Sequence, residues 1–309
     1  MAYNILLTCP PMINQIPKLQ DEINRFNFKI FIPDFDQTIP SQFLRRELRD
    51  KDAWIVGDDL VNEEILNWCR EIGLKIITKW GVGTDNIDFA AAKRLKYDIS
   101  NTPGVFAKDV AELALGFLIN LCRNISTVNL NIHLGKWPKD VGRRIEELTI
   151  GIVGFGSIGK HLSLLLSEFD AKVIIYDPLV NEEDRMNLIF SNWPNDLNKI
   201  DYLIFCCPLN QLTNQMLNNS NLSQLKRGVG VINVSRGKVI SEKTLIEGLR
   251  TGLISGAALD VFEVEPLPIN SALRNFDNVI LSSHNASNTN VGSYHTSIKV
   301  LNFLSEKLS

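Results

Sequence analysis

The sequence predicts an α/β protein built from doubly wound parallel sheets. Three observations carry this. Short apolar runs alternate with amphipathic stretches almost from end to end. The alternation comes in two series, the second beginning near residue 148. Within the second series, Gly154-Phe155-Gly156-Ser157-Ile158-Gly159 falls between an apolar run and the amphipathic stretch that follows it. At 309 residues, two domains are expected.

In the first series, residues 4–9, 53–56 and 75–78 read as strands, with helices at 62–71 and 88–95 between them. In the second, residues 149–153, 172–176, 202–206, 229–233, 256–259 and 279–281 are apolar and rich in β-branched side chains, as strands covered on both faces are. The clearest helices there are 158–169 and 242–251. Residues 108–134 keep an apolar period with no proline and a single glycine, Gly116, which predicts one or two helices linking the domains. Residues 290–309 are helical in pattern, and the polar stretch 181–198 is expected to be loop-rich.

The composition narrows the function. A net charge of -3, with acidic and basic residues interspersed, offers no basic stripe for counterion release at nucleic acid. An anionic substrate must then be held by local charges. The start of the chain lacks the pattern of a signal peptide, and no apolar stretch approaches the roughly 20 residues of a membrane span, so a cytoplasmic protein without a membrane partner is expected. The five cysteines, Cys9, Cys69, Cys122, Cys206 and Cys207, have no metal-ligand spacing. They read as small buried hydrophobes in a reducing compartment, Cys206 and Cys207 facing opposite sides of one strand, and no metal is expected.

The glycine motif has a mechanical reading. Gly154 permits a tight turn, Gly156 lets a pyrophosphate approach the backbone, and Gly159 lets helix and strand pack closely. The N–H groups of Phe155, Ser157 and Ile158 belong to the same loop and helix start, where a pyrophosphate is held. Asp177 ends the next strand, 18 residues after Gly159, where a carboxylate accepts bonds from ribose hydroxyls and repels a 2′-phosphate. Pro178 and Leu179 add no cation for that phosphate, so NAD is the expected cofactor rather than NADP.

Further motifs follow in order. Thr78-Lys79-Trp80-Gly81-Val82-Gly83-Thr84-Asp85-Asn86-Ile87-Asp88 comes first, then Asn101-Thr102-Pro103-Gly104 and Val110-Ala111-Glu112-Leu113. After the glycine motif come Pro208-Leu209 with Thr213, Asn233-Val234-Ser235-Arg236-Gly237, and Ala258-Leu259-Asp260-Val261-Phe262-Glu263-Val264-Glu265-Pro266-Leu267, with His284 last. This series resembles the D-isomer specific 2-hydroxyacid dehydrogenases, most closely D-3-phosphoglycerate dehydrogenase-like members without a regulatory domain. The resemblance implies two Rossmann-like doubly wound parallel-sheet domains. A cofactor domain, residues 101–285, is inserted into a discontinuous flavodoxin-like substrate domain, residues 1–100 and 286–309, with the active site in the cleft. It also implies a homodimer joined through the NAD domains.

Roles follow from the same resemblance. His284 matches the acid–base histidine, whose ordinary pKa near 6.5 suits proton transfer at neutral pH. Glu265 matches the glutamate that bonds it, fixing the tautomer and favouring the protonated ring. The motif spacing selects Glu265 over Glu263, which is expected to be solvated. His133, His161 and His295 lie on apparent helices outside every motif and are expected to be structural or exposed. Arg236 is expected to pair with the substrate carboxylate and to polarise the keto oxygen. Cys207, Pro208, Thr213, Val234, Arg236 and Asp260 join the glycine loop and Asp177 as cofactor contacts, Asp260 at the nicotinamide end.

For the substrate, the backbone of Val82-Gly83 is expected to hold the carboxylate. Lys79 stands where some phosphoglycerate dehydrogenases carry an arginine for the second anionic group. Phe106 stands where several of them carry a polar residue, and reads either as a pocket wall or as core. Lys79 and the Asn101-Thr102-Pro103-Gly104 segment rank 3-phosphoglycerate first, hydroxypyruvate or glyoxylate second and D-lactate-like acids third; phosphite and formate oxidation on similar scaffolds rank lower. A different class, an NAD-sensing protein like the corepressors of this fold, stands as the alternative to an enzyme. A serine-sensing regulatory domain is not expected.

Overall fold

In the computed structural model, residues 2–35, 37–180 and 188–308 are described. The chain divides into two compact units, Met1–Phe106 with Ser287–Ser309, and Ala107–Ala286. Each is built on one parallel sheet.

The first unit holds four strands, β1 (Tyr3–Thr8), β2 (Phe28–Phe31), β3 (Ala53–Val56) and β4 (Ile76–Lys79), in the order β2-β1-β3-β4. All four residues of β3 are buried, as an apolar strand covered on both faces must be. The helices Glu63–Glu71 and Phe89–Arg94 start where their capping residues stand: Asn62 accepts the Ile65 N–H at 3.0 Å, and Asp88 accepts the Ala91 N–H at 2.9 Å. The terminal helix Asn290–Leu308 returns to pack on β4. At the carboxyl ends of β1 and β3 lies a buried polar set. Trp54 Nε1 donates to Thr8 Oγ1 at 2.8 Å, the Thr8 hydroxyl donates to Asp59, and the Ile39 N–H donates to the same carboxylate at 2.7 Å. Burial pushes the Asp59 carboxyl above its ordinary range, opposed by those two bonds.

The second unit has seven strands, β5 (Thr149–Val153), β6 (Lys172–Tyr176), β7 (Ile189–Phe190), β8 (Tyr202–Phe205), β9 (Val229–Asn233), β10 (Ile254–Leu259) and β11 (Val279–Leu281). Their order is β11-β10-β9-β8-β5-β6-β7. Successive strands run outward from β5 on one side and from β8 on the other, so the order reverses between those two. In such sheets ligands bind at the carboxyl edge, at this reversal. Register makes the edge nearly level. Val153 pairs with both Tyr176 and Phe205, Phe205 with Asn233, Asn233 with Leu259, and Leu259 with Leu281. The residues that follow this row are those the sequence singles out.

The stretch expected as one or two linking helices is two, Ala107–Arg123 and Ile125–His133, bent by 61° at Asn124, whose φ of 53° is left-handed. Among the described residues no single helix is long and apolar enough to cross a membrane. Of the polar stretch, residues 181–187 lie outside the described residues. The remainder contains β7 and a 3-10 turn at Leu197–Lys199. Neither β7 nor β2 shows in the sequence pattern.

Asp201 pins the start of β5 to β8. Its side chain is 5% exposed and takes Arg143 at 2.7 Å, Lys226 at 2.8 Å and the Thr149 N–H at 3.0 Å. Burial alone would raise its pKa; the two cations and the N–H bond bring it below the ordinary carboxylate value. Asp201→Asn is therefore expected to cost about 1–3 kcal/mol, toward the lower end because both cations are half-exposed. With the folded pKa depressed, this stabilisation is present above pH about 4 and is lost as pH falls through the folded pKa. Urea titrations of both proteins at pH 7 and pH 3 check it: the gap should close at the lower pH.

Candidate active site

The glycine loop leaves β5 against the chain leaving β8. Gly154 has φ of 99°, and a Cβ there would lie 2.7 Å from the backbone nitrogen and Cα of Cys207. A Cβ on Gly159 would overlap the Gly154 carbonyl, so helix and strand meet without a side chain between them. Gly156 differs: a Cβ there would meet nothing within 4 Å. No protein neighbour demands that glycine, and the space it leaves fits a pyrophosphate. The helix Ser157–Ser167 opens on Gly156, with no side chain capping its first N–H groups, and Gly156 and Ser157 are exposed.

Asp177 follows β6 at the same level. Its two oxygens accept the Phe155 N–H at 2.6 Å and the Leu179 N–H at 2.8 Å. Each carboxylate oxygen has a further lone pair, so the group can still accept a ribose hydroxyl. The Phe155 ring is core, 7% exposed and edge-on to Phe190 at 5.7 Å, and Ile158 is half-buried on the first turn of the helix. Cys207 is 6% exposed, and burial pushes its thiol up to about 12. Cys206 lies just past β8, half-buried, with Sγ 3.4 Å from the Gly154 carbonyl. The Thr213 hydroxyl serves its own turn, donating to the carbonyl of Pro208 at 2.6 Å and accepting the Asn210 N–H at 2.8 Å. Val234 is buried, its N–H bonded to the Phe205 carbonyl at 3.1 Å.

Arg236 sits on the turn after β9. Asn233 shapes that turn, accepting the Ser235 N–H at 3.0 Å and donating to the Arg236 carbonyl at 2.9 Å. Gly237 seats it: a Cβ there would overlap the carbonyl of Phe262, so the turn rests directly on the segment after β10. That segment carries Glu265, whose Oε1 accepts the Phe262 N–H at 2.9 Å and whose Oε2 lies 2.7 Å from His284 Nδ1. A carboxylate on Nδ1 fixes that nitrogen as the donor and leaves Nε2 for another partner. The His284 and Glu265 side chains are 27% and 26% exposed, wet enough to exchange protons.

Asp260 is brought to the same place by bonds to the backbone. It is 1% exposed. Its two carboxylate oxygens accept the N–H groups of Asn285 and Ala286, each at 2.9 Å, and its carbonyl accepts the His284 N–H at 2.7 Å. Its carboxylate anchors the His284 loop. Glu263 departs from expectation. It is not a solvated side chain but is half-buried, and its Oε1 accepts the Glu242 N–H at 2.8 Å.

In the first unit, Gly81 has φ of 121°, and the loop after β4 is braced by the next segment. Thr102 Oγ1 accepts the Gly81 N–H at 3.2 Å, and Asn101 Nδ2 donates to the Val82 carbonyl at 2.9 Å. The N–H groups of Val82 and Gly83 meet no acceptor among the described residues, and Val82 is 40% exposed. They are open to an anion. Lys79 is not exposed as a surface lysine would be, nor open as a phosphate ligand must be. It is 4% exposed, and its ammonium donates to the Gly57 carbonyl and lies 3.4 Å from Asp58. Phe106 is core, 4% exposed, its ring 5.2 Å from Trp80. His133 and His295 are exposed and His161 half-buried, all on helices. Among the described residues no group of three or more His, Cys, Asp or Glu is placed to hold a metal ion.

Because Gly237 touches the Phe262 peptide directly, Gly237→Ala must push the Arg236 turn away from the Glu265 segment. It is expected to cost 3 kcal/mol or more, on the order of a severe core substitution. A guanidinium titration of the variant beside the parent checks this; an unchanged midpoint would mean the turn relaxes freely.

Known proteins agree with this architecture. Residues 115–286 match the family model of the D-isomer specific 2-hydroxyacid dehydrogenase NAD binding domain. A glyoxylate reductase of Thermofilum pendens is 36% identical over 80% of this chain and 75% of its own. A glyoxylate/hydroxypyruvate reductase of Arabidopsis thaliana is 34% identical over 91% of this chain and 86% of its own. A D-3-phosphoglycerate dehydrogenase of Rattus norvegicus is 33% identical over 82% of this chain but 48% of its own. The fold matches that of D-lactate dehydrogenase from Aquifex aeolicus, solved with NAD and lactic acid, with TM-score 0.85 at 24% identity over 99% of this chain and 96% of that one. The chain belongs to the D-isomer specific 2-hydroxyacid dehydrogenases, NAD-dependent oxidoreductases acting on a CH–OH group.

Proposed function

We propose that this protein reduces a small unphosphorylated 2-keto acid, glyoxylate or hydroxypyruvate, to the corresponding 2-hydroxy acid, the D isomer where C2 becomes a stereocentre. The observation that carries the chemistry is the 2.7 Å pair of His284 and Glu265 at the level carboxyl edge of the second sheet. The unit Ala107–Ala286 takes NAD on its glycine loop and Asp177, and the unit Met1–Phe106 with Ser287–Ser309 serves the substrate. Bound NADH supplies the hydride that reaches C2. Arg236 pairs with the substrate carboxylate and polarises the keto oxygen. His284, held by Glu265 at Nδ1, gives the Nε2 proton to that oxygen as the C–H bond forms, and Glu265 stabilises the imidazolium beforehand. The N–H groups of Val82 and Gly83, in the substrate unit, are donors suited to a carboxylate. In oxidation the proton returns to His284.

The choice among keto acids rests on Lys79. A 3-phosphate reading needs that ammonium for the second anion, yet the Gly57 carbonyl and Asp58 already occupy it. Asn101 and Thr102, the other support for that reading, brace the Gly81–Val82 backbone instead. The glyoxylate and hydroxypyruvate reductases among the relatives support the unphosphorylated acids. NADH oxidation is then measured with glyoxylate, hydroxypyruvate, pyruvate and 3-phosphohydroxypyruvate, with His284→Ala alongside. Turnover of the first two is expected, at least about tenfold better in kcat/KM than the phosphorylated acid, a gap of about 1.4 kcal/mol. His284→Ala should lose about 10²–10⁴ in kcat. Preference for the phosphorylated acid would restore the phosphoglycerate reading. NADH binding without turnover of any acid would favour the sensor.

We also propose a cytoplasmic homodimer. The five cysteines are all free, which suits a reducing compartment. Leu134, Trp137 and Val141, just beyond the helix Ile125–His133, are 63%, 77% and 93% exposed, and Ile125 and Leu130 on that helix are 49% and 45% exposed. Such a run of apolar surface on the NAD unit suits a second copy. Light scattering should give twice the 34.8 kDa chain mass, and Trp137→Glu with Val141→Glu should halve it; a monomeric parent would refute the dimer.

A further inference from the structure

Glu242 and Glu263 exchange backbone bonds. The Glu242 N–H donates to Glu263 Oε1 at 2.8 Å, and the Glu263 N–H donates to Glu242 Oε1 at 2.7 Å. Glu242 opens the helix Glu242–Thr251, and its N–H has no partner within that helix. Ser241 caps the Thr244 N–H instead, at 3.4 Å. The exchange therefore satisfies two donors at once. It also sets two carboxylates side by side, which costs free energy. Burial, opposed by the Glu263 N–H and assisted by the Glu263 charge, pushes the Glu242 carboxyl above its ordinary range.

The location gives the exchange a purpose beyond closing a helix. Glu263 lies between Phe262, whose N–H aims Glu265, and Glu265 itself. On one side the Phe262 carbonyl rests against Gly237. On the other, Glu242 holds residue 263. The Phe262–Glu263 peptide is thus gripped twice by the stretch that follows β9, by Gly237 packed against it and by the Glu242 carboxylate at its N–H. Among the described residues, the hydrogen bonds that orient Glu265 are those with His284 and the Phe262 N–H. The Phe262–Glu263 peptide is the first link of the turn that carries Glu265, so releasing it lets the turn re-aim the carboxylate away from its line with Nδ1.

We infer that Glu242 is a positioning residue, which through Glu263 fixes the Phe262–Glu265 turn and so sets how Glu265 meets His284. This rests on the reading of His284 and Glu265 as the acid–base pair. Among the described residues, the titratable groups bonded here are Glu265 on His284 and Glu263 on Glu242.

The test is the pH profile of kcat/KM for the keto acid reduced best, with the full chain and NADH. The variants are Glu242→Ala, Glu242→Gln, Glu263→Ala and the double alanine, with Glu265→Gln as reference. Glu242→Ala is expected to move the pH at which reduction falls off downward by on the order of half a unit, because the imidazolium loses part of its carboxylate partner. It should also lower kcat by about three- to tenfold and leave the KM for NADH unchanged. Glu263→Ala should behave alike, and the double variant should be no worse than either single one, since one linkage is lost. Glu242→Gln keeps an oxygen for the Glu263 N–H and should restore the parent profile. If the alanine variants do not fold, Glu242→Ser, too short to reach Glu263 yet suited to a helix start, takes their place with the same expectation. Variants that melt earlier but keep the parent profile, while Glu265→Gln shifts it, would overturn the inference and leave the exchange purely structural. A profile unmoved by Glu265→Gln would remove the acid–base reading, and the inference with it.

Discussion

The second unit depends on what the Asp260 carboxylate does with its two oxygens. His284 follows a strand and has φ of 53°, a left-handed conformation that costs a non-glycine residue about 1–2 kcal/mol. Two N–H bonds to a buried carboxylate contribute about 1.5–3 kcal/mol each, so the anchor outweighs the strain. The chain therefore turns sharply at His284, with its backbone tied to Asp260 and its ring left to meet Glu265. The same aspartate directly follows β10, so the strand that leads to Glu265 also fixes the histidine. One buried side chain ties together both halves of the pair proposed to transfer the proton.

The first unit uses buried polarity differently. Asp59, Thr8 and Trp54 form a closed set whose members satisfy one another, and Lys79 is absorbed by the Gly57–Asp58 turn beside it. A buried ammonium with a carbonyl and a carboxylate at hand has little reason to desolvate a further anion. What remains available in the loop after β4 is backbone, the N–H groups of Val82 and Gly83. Recognition by backbone donors suits a carboxylate, which every 2-hydroxy acid has, and adds no selectivity for what lies beyond C2.

Much of this was legible in the sequence, and the exceptions have physical reasons. The buried strands of the second unit stand out because both faces are apolar; residues 149–153, 172–176, 229–233 and 279–281 are strands over those same spans. β2 escapes notice because it is a four-residue strand at the sheet edge, with Lys29 turned to solvent. The Gly154 and Gly159 arguments carry over directly, because steric need is written in the residue type. Charged residues do not declare their surroundings. Lys79 reads as an anion ligand or an exposed lysine and is buried against Gly57 and Asp58, Glu263 reads as solvated but caps a helix, and the backbone bonds that Asp260 accepts leave no mark in the sequence. Each of these depends on a tertiary approach, such as Gly237 lying on Phe262, that one-dimensional spacing cannot encode.

The level carboxyl edge of the second sheet bears on how this chain can change in length. Asp177, Arg236, Asp260 and His284 each stand one to three residues beyond a strand whose neighbours share its register. Adding or removing one residue within such a strand would carry its group about 3.3 Å along and turn it to the opposite face. The amino ends of the same strands carry none of these groups. Insertions and deletions should therefore accumulate at one end of the sheet, leaving the other fixed in length while the chain around it drifts.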